Sequence, residues 1–269
     1  MKDRVTVSIL LGVYNPGNGT RLWQAVESIR QQRFSDWELL LYDDGSTAVG
    51  AELIREVGRQ DPRICCLRGD QNRGLAHALN VCIRHAAGRY LARMDDDDIA
   101  LPDRLQKQVA FLQTHPQYHW VGSCAALVDR RGVWGMRMVP PIPQPDDFLF
   151  NSPYIHPSVM FRREVLLRAG GYRVSEAVGQ CEDYELFMRL HRDGYRGYNL
   201  QEPLLWYWED ETSYQKRTYR RRVQEMRVRY RGFQELGILR VHTLPYVVKP
   251  LLVGLVPAPV YRYLKRRGQ

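Results

Sequence analysis

The sequence predicts an α/β fold: a mostly parallel, Rossmann-like sheet flanked by helices, followed by a helical C-terminal appendage that is both basic and apolar. Three observations predict it. Over the first 115 residues, short apolar runs alternate with segments of helical spacing, the order that builds a parallel, doubly wound sheet. Three polar clusters, Tyr14-Asn15, Asp43-Asp44 and Asp95 to Asp98, each end one of those apolar runs. Ligands of such sheets bind beyond the carboxyl ends of the strands, so clusters delivered to one edge by independent strands mark a common site. Finally, charge is unevenly spread. Residues 216–269 hold 14 Lys and Arg against 2 acidic residues, whereas residues 1–215 hold 25 against 28.

The elements follow in chain order. Residues 5–13 are almost continuously apolar, as a central parallel strand requires. Residues 21–32 place Leu22, Ala25, Val26 and Ile29 at helical spacing. A second apolar strand spans 37–42 and runs into Asp43-Asp44-Gly45-Ser46. Residues 51–57 are helical, 64–67 a short strand, 75–86 helical and 90–94 a strand ending in the four aspartates. Pro102 is placed to open a helix over 105–112. A strand over 120–128 and a second over 133–139 flank a hairpin turn at Asp129-Arg130-Arg131-Gly132, and 140–145 is a proline-rich loop. Residues 157–161 are strand-like, 163–169 form a helix stopped by Gly170-Gly171, and 181–192 form a helix stopped by Gly194.

The tail changes character. Residues 214–236 read as a long basic helix. Residues 244–264 are mostly apolar but contain Pro245, Pro250, Pro257 and Pro259, and their longest charge-free stretch, 250–261, is too short to span a bilayer. Proline-broken apolar turns beside Arg and Lys suit an element lying in a membrane interface, or an arm packed on the body. The expected organisation is a domain of residues 1–212, with halves of 1–115 and 116–212, then a basic helical tail (213–269).

Composition excludes low-complexity and fibrous classes. The five cysteines are scattered without a Cys-x-x-Cys pair, which points to a reduced, cytoplasmic setting. Residues 1–4 lead directly into a strand, so no secretory signal is expected. The sequence has no phosphate loop, no Gly-x-Ser-x-Gly elbow and no Gly-x-Gly-x-x-Gly fingerprint, which argues against NTPase, hydrolase and NAD chemistry. His156-Pro157-Ser158 has no partner at metal-ligand spacing, so zinc is not expected.

Four adjacent carboxylates repel one another and resist desolvation. A strand end tolerates them when a positive charge sits there, and a hard divalent cation, able to carry a diphosphate, prefers such oxygen ligands. The remaining clusters each read two ways. Asp43-Asp44-Gly45-Ser46 is either a tight turn or a carboxylate accepting a nucleobase N–H. Asn72-Arg73-Gly74 is a capped turn or a phosphate-facing helix start. Glu182-Asp183 complements a helix dipole or supplies a general base.

Together these pieces resemble the family-2 inverting glycosyltransferases with the A-type nucleotide-sugar fold. They occur in family order: VSILLGVYN (7–15), ELLLYDDGS (38–46), NRGLAHALN (72–80), GRYLARMDDDDIALPDRL (88–105), HPSVMFRREVLLRAGGY (156–172) and EDYELFMRL (182–190). The resemblance implies that Val13, Tyr14 and Asn15 belong to the nucleotide site, with Val13 and Tyr14 lining the base pocket. It implies that Asp44 accepts from a uracil-type N–H with Asp43 in support, and that Arg73 approaches the nucleotide. Asp95 and Asp97 become the Asp-x-Asp pair. Asp97 is the direct metal ligand, while Asp95, which also counts as a metal ligand, lies nearer the ribose or sugar with Asp96 beside it. Asp183 becomes the catalytic base and Glu182 its neighbour at the acceptor face. Two departures stand out. Gly12 replaces a frequent proline. Trp208-Glu209-Asp210 also stands where many relatives carry Arg-x-His, so no phosphate or metal contact is carried over there.

The expected activity is transfer of a sugar, with inversion and with Mn²⁺ or Mg²⁺, from a nucleotide-sugar donor of the UDP type to a glycan or polyprenyl-linked acceptor in envelope polysaccharide synthesis. The basic tail suggests an anionic membrane surface as partner and a peripheral place on the inner face of the cell membrane. Nucleic acid is not an expected partner, because it would leave the aspartates unexplained. The alternatives are a non-catalytic nucleotide-sugar binding module and a metal-dependent nucleotidyltransferase.

Overall fold

The computed structural model describes residues 5–209 and 218–254. A nine-stranded mixed sheet has helices on both faces. Its first half follows the predicted β-α alternation: β1 (Val7–Val13), α1 (Thr20–Arg30), β2 (Trp37–Asp43), α2 (Ala48–Gly58), β3 (Ile64–Arg68), α3 (Leu75–His85) and β4 (Tyr90–Arg93). Strands β3, β2, β1 and β4 lie side by side and all parallel. Side chains of β1 alternate between two cores. Val7, Ile9, Leu11 and Val13 pack beneath α1, whereas Leu10 packs with Leu79 and Cys82 of α3. Burial on both faces is why the strand reads as one continuous apolar run.

The second half comprises β5 (Ile99–Ala100), α4 (Arg104–Thr114), β6 (Trp120–Asp129), β7 (Gly132–Arg137), β8 (Met160–Arg162), α5 (Arg163–Arg168), α6 (Glu182–Arg192) and β9 (Gly197–Trp208). Here parallel order gives way. β8 pairs antiparallel with both β4 and β6, β7 pairs antiparallel with β6, and β9 runs parallel to β6. The expected hairpin at residues 129–132 is present. The strand-like segment at 157–161 is a 3₁₀ turn at His156–Ser158 followed by β8.

The sequence reading passes over β9, a 12-residue strand. Asn199, Gln201, Glu202 and Pro203 interrupt its apolar pattern. Pro203 falls where the β6–β9 register shifts, a bulge that spares a ladder donor. Asn199 is fully buried, and its side chain donates to the carbonyls of Pro140 (2.8 Å) and Pro153 (3.0 Å).

The C-terminal helices are α7 (Tyr219–Glu235) and α8 (Leu244–Gly254). Thr218 caps α7. Residues 244–254, expected as broken turns, are helical. Pro245 sits at the second position, where its missing N–H costs nothing, and Pro250 is carried inside. Residues 213–217 and 255–269 of the sequence-predicted tail, and the boundary at 212/213, lie outside the described residues. Val228, Phe233 and Val247 join the core cluster that contains α6, so the pair packs on the body. It also leaves Val241, Leu244, Val248 and Leu252 exposed. Among the described residues no helix is long and apolar enough to cross a membrane.

Candidate active site

Strands β1, β2 and β4 are neighbours, so the three polar clusters that follow them meet at one edge of the sheet. After β1, Asn15 takes a left-handed φ of 48°. Its backbone N–H donates to Ser46 Oγ and its Oδ1 accepts from Thr47 N, each at 2.9 Å. Tyr14 stands half exposed beside it, while the Val13 side chain lies in the core and its carbonyl accepts from Asp44 N at 2.8 Å.

Asp43 and Asp44 are buried but fully engaged. Asp43 accepts from Ser46 N (2.8 Å) and pairs with Arg68 (2.9 Å). Both Asp44 oxygens accept from Arg73 N (3.1 Å), and one also accepts from Gly74 N (2.7 Å). The intervening Gly45 has φ 74°, and a Cβ there would lie 2.4 Å from the backbone of Gln71. Asp44 thus fixes the backbone at Arg73-Gly74, the approach to α3.

The third cluster is different. Asp95, Asp97 and Asp98 each bring a carboxylate oxygen within 4.8 Å of the others. Asp98 is buried. One of its oxygens accepts from Trp208 N at 2.8 Å, and the other is buried with no hydrogen-bond partner. Burial, then repulsion from Asp95 and Asp96, pushes the Asp97 carboxyl up to about 7. Burial, then Asp95 and Asp97, pushes Asp98 well above the carboxylate range. The cationic compensation is Arg93, fully buried and 2.6 Å from Asp95, with Arg21 3.9 Å from Asp97. Three close carboxylates, one of them with a buried and unpartnered oxygen, fit a hard divalent cation such as Mn²⁺ or Mg²⁺. The sequence reading names Asp95 and Asp97 and omits Asp98, which the same aspartate run contains. Asp96 is half-buried and lies outside the trio.

A cleft of about 160 Å³ joins this cluster to α6: Asp95 and Arg93 line it together with Glu182, Asp183, Arg137 and Arg221. Glu182 and Asp183 form the first turn of α6. Burial first, and Asp183 second, pushes Glu182 up to about 7. Burial also raises Asp183, opposed by the Tyr184 N–H that donates to its Oδ1 at 2.7 Å and by Arg221, Arg137 and Arg93. His156, on the same wall, bonds Tyr172 Oη through Nε2 (2.8 Å), and burial holds its ring neutral. Arg73 lines an adjoining cleft of about 650 Å³ that shares Glu182 and Arg221 with the first. Three arginines escaped sequence reasoning. Arg93 carried a signal, a charge inside an otherwise apolar strand, whereas Arg137 and Arg221 reach the site only through tertiary structure.

The family model for Glycosyl transferase family 2 matches residues 8–170. The chain belongs to that family. The match takes in all three strand-end clusters, while Glu182-Asp183 and the C-terminal helices follow it. The family 2 chain is 35% identical over 269 residues to a Bacillus subtilis (strain 168) protein named as the glycosyltransferase EpsE, covering 99% of this chain and 96% of that protein. It is 26% identical to the amylovoran biosynthesis glycosyltransferase AmsE of Erwinia amylovora, covering 97% and 98%. Among solved structures, a mannosyltransferase from Pyrobaculum calidifontis in complex with GDP-Man and Mn²⁺ superposes with a TM-score of 0.64 at 21% identity, over 98% of this chain and 80% of that one. S. aureus TarS 1–349 does so with a TM-score of 0.65 at 16% identity, over 92% and 70%. These neighbours place the chain in the A-type glycosyltransferase fold.

Proposed function

We propose that this family 2 glycosyltransferase moves a sugar, with inversion, from a nucleotide-diphosphate donor of the UDP type to a hydroxyl of a glycan or lipid-linked acceptor in envelope polysaccharide synthesis. One observation carries the reading: a single cleft bears Asp95 of the acidic trio on one wall and Glu182-Asp183 on another. Asp95, Asp97 and Asp98 are the residues that would hold Mn²⁺ or Mg²⁺, which when bound offsets the charge growing on a departing diphosphate.

Asp183 takes the proton of the acceptor hydroxyl. That oxygen bonds the anomeric carbon as the bond to the diphosphate oxygen breaks, through an oxocarbenium-like state. Attack from the face opposite the leaving group inverts the centre, and no covalent nucleophile is needed. A carboxylate whose proton affinity is raised by burial is a stronger base than a solvated one. Glu182 lies beside it at the acceptor face. Residues 1–115 then bind donor and 116–212 receive acceptor. Tyr14 offers a ring at the nucleotide, the loop fixed by Asp43, Asp44 and Asn15 shapes its seat, and Arg73 faces it. Two relatives support the polysaccharide setting, AmsE by its name and a 28% identical Escherichia coli protein, the O-antigen biosynthesis glycosyltransferase WbnJ. We also assign the protein a peripheral place on the cytoplasmic face of the membrane. In support, residues 218–254 carry eight Lys and Arg against two Glu, around the exposed Val241, Leu244, Val248 and Leu252.

The test is nucleoside diphosphate release with Mn²⁺ over a panel of UDP-sugars and GDP-mannose, with Asp97→Asn and Asp183→Asn alongside. Release from one donor, lost in both variants, is the expected result. Release that survives both substitutions overturns the site assignment.

A further inference from the structure

Three clefts share lining residues in succession, beginning at the catalytic carboxylates. The first is the 160 Å³ cleft at Asp95 and Asp183. It shares Glu182, Gln180 and Arg221 with the second, about 650 Å³, which also bears Arg73 and Arg173. The second shares Arg173 with a third, about 700 Å³, between α6, α7 and α8. The third is mainly apolar, with Met188, Met226, Val228 and Val247 among its walls. It opens beside Leu244 and Val248, which line it and are 44% and 41% exposed.

Helix α6 is a ruler along this path. Glu182 lines the first and second clefts, and Glu185, Met188 and Arg189 line the third. Residues at this spacing share one helix face, and seven residues of helix rise about 10 Å. That length suits a diphosphate and the start of a chain. The first cleft sets its carboxylates beside Arg93, Arg137 and Arg221, the second adds Arg73 and Arg173, and the third is a mainly apolar surface edged by Glu185, Arg189, Arg227, Arg231 and Glu235. Arg173 pairs with Glu185 at 2.9 Å, but Arg189 pairs with the same carboxylate, so the trio keeps one net positive charge at the junction. Arg221 donates to Gln180 O at 3.4 Å.

We propose that the three clefts form one binding track for an amphiphilic acceptor. Its sugar hydroxyl lies at Asp183, its bridging phosphates at Arg221 and Arg173, and its hydrocarbon chain in the groove between α6, α7 and α8. The assignment rests on the transferase reading, which supplies the base. It narrows the acceptor to a lipid-linked one, and it makes the C-terminal helices part of the substrate site.

The probe is farnesyl diphosphate, titrated calorimetrically into the full chain without divalent metal, beside inorganic diphosphate (head alone) and farnesol (chain alone). Farnesyl diphosphate should saturate at one per chain and bind at least about tenfold tighter than either fragment. Leu244→Glu/Val248→Glu alters exposed positions. It should weaken farnesyl diphosphate at least about tenfold and leave inorganic diphosphate unchanged. Arg173→Gln/Arg221→Gln should weaken farnesyl diphosphate but not farnesol, and the single Arg221→Gln serves if the double variant loses its circular dichroism. Farnesyl diphosphate that binds no tighter than its fragments, or indifferently to both variant pairs, overturns the track. So does retention on phosphatidylglycerol vesicles that Leu244→Glu/Val248→Glu abolishes while farnesyl diphosphate binding persists, because the face then serves bulk bilayer. UDP with Mn²⁺, titrated on the same proteins, separates the two proposals. UDP bound without farnesyl diphosphate sinks the track alone, whereas farnesyl diphosphate bound without UDP removes the transferase step beneath it.

Discussion

Asp43 and Asp44 close β2, and Asp95, Asp97 and Asp98 follow β4, on either side of β1 in the same sheet. Both groups are acidic and at least partly buried, yet their surroundings differ. Backbone N–H groups and Arg68 engage all four oxygens of the first group. In the second, an Asp98 oxygen is buried without a partner, and the Asp97 carboxyl is driven up to about 7. A saturated carboxylate shapes a loop, whereas an unsaturated cluster awaits a charge from outside. Identical residue types at equivalent strand ends therefore divide into architecture and chemistry by their hydrogen bonds.

The strongest way to break this contrast is Arg93→Gln. Removing the buried cation beside Asp95 leaves the repelling carboxylates only Arg21 and the buried Arg104 near Asp98, a change that costs roughly 3–5 kcal/mol. At about 2–4 °C per kcal/mol for a protein of this size, the melting temperature should fall by roughly 10 °C. A loss of under about 1 kcal/mol would show that the cluster is solvated and needs no compensation.

Next in size is a pH effect at the other acidic pair. Glu182 binds its proton more tightly folded (about 7) than unfolded (4.5), so its contribution to stability falls as pH rises through that window. Glu182→Gln should match the parent near pH 4.5 and exceed it at pH 8 by up to about 3 kcal/mol, read from urea unfolding. A gap that does not grow with pH would remove Glu182 from the poorly compensated class.

Metal comes third. At a hundredfold excess over its dissociation constant, Mn²⁺ should add about 2.7 kcal/mol. Asp97→Asn should lose that gain and Asp44→Asn should keep it, and EDTA should reverse it in the parent. Equal loss in both variants would erase the distinction between the groups. The smallest effect sharpens it most. Without metal, Asp44→Asn should cost about 2 kcal/mol, because charge-assisted bonds to the Arg73 and Gly74 amides weaken. Asp98→Asn keeps an acceptor for Trp208 N and removes the cost of holding a carboxyl whose ionisation the buried, acidic site opposes, and should gain on the order of 1 kcal/mol. Thermal unfolding of the two variants side by side checks the sign.

Much of this was legible in the sequence, for stated physical reasons. Doubly covered strands such as β1 must be apolar throughout, so the parallel half and its strand ends stood out. β9 did not, because its interior polar residues serve neighbours far away in sequence. Asn199 bonds the carbonyls of Pro140 and Pro153, and Pro203 exploits a bulge in the pairing with β6. The same limit hid the cationic half of the cleft. Arg137 comes from a hairpin and Arg221 from a helix after residue 212, and only the folded chain brings them to Asp183. Short-range patterns report what a residue's own element needs, and these residues answer to distant ones.

The contact between β9 and the acidic trio has an optical consequence. Trp208 donates its backbone N–H to Asp98, and its indole lies 4.1 Å beneath the Arg21 guanidinium, which in turn faces Asp97. An ion that engages Asp97 and Asp98 must disturb the cation stacked on that fluorophore. The chain therefore carries an intrinsic emission probe at its proposed metal ligands. Mn²⁺, being paramagnetic, should dim it and diamagnetic Mg²⁺ should only shift it, with Trp208→Phe silencing both responses. Ion arrival can then be timed by stopped flow on unlabelled protein, before any sugar is known.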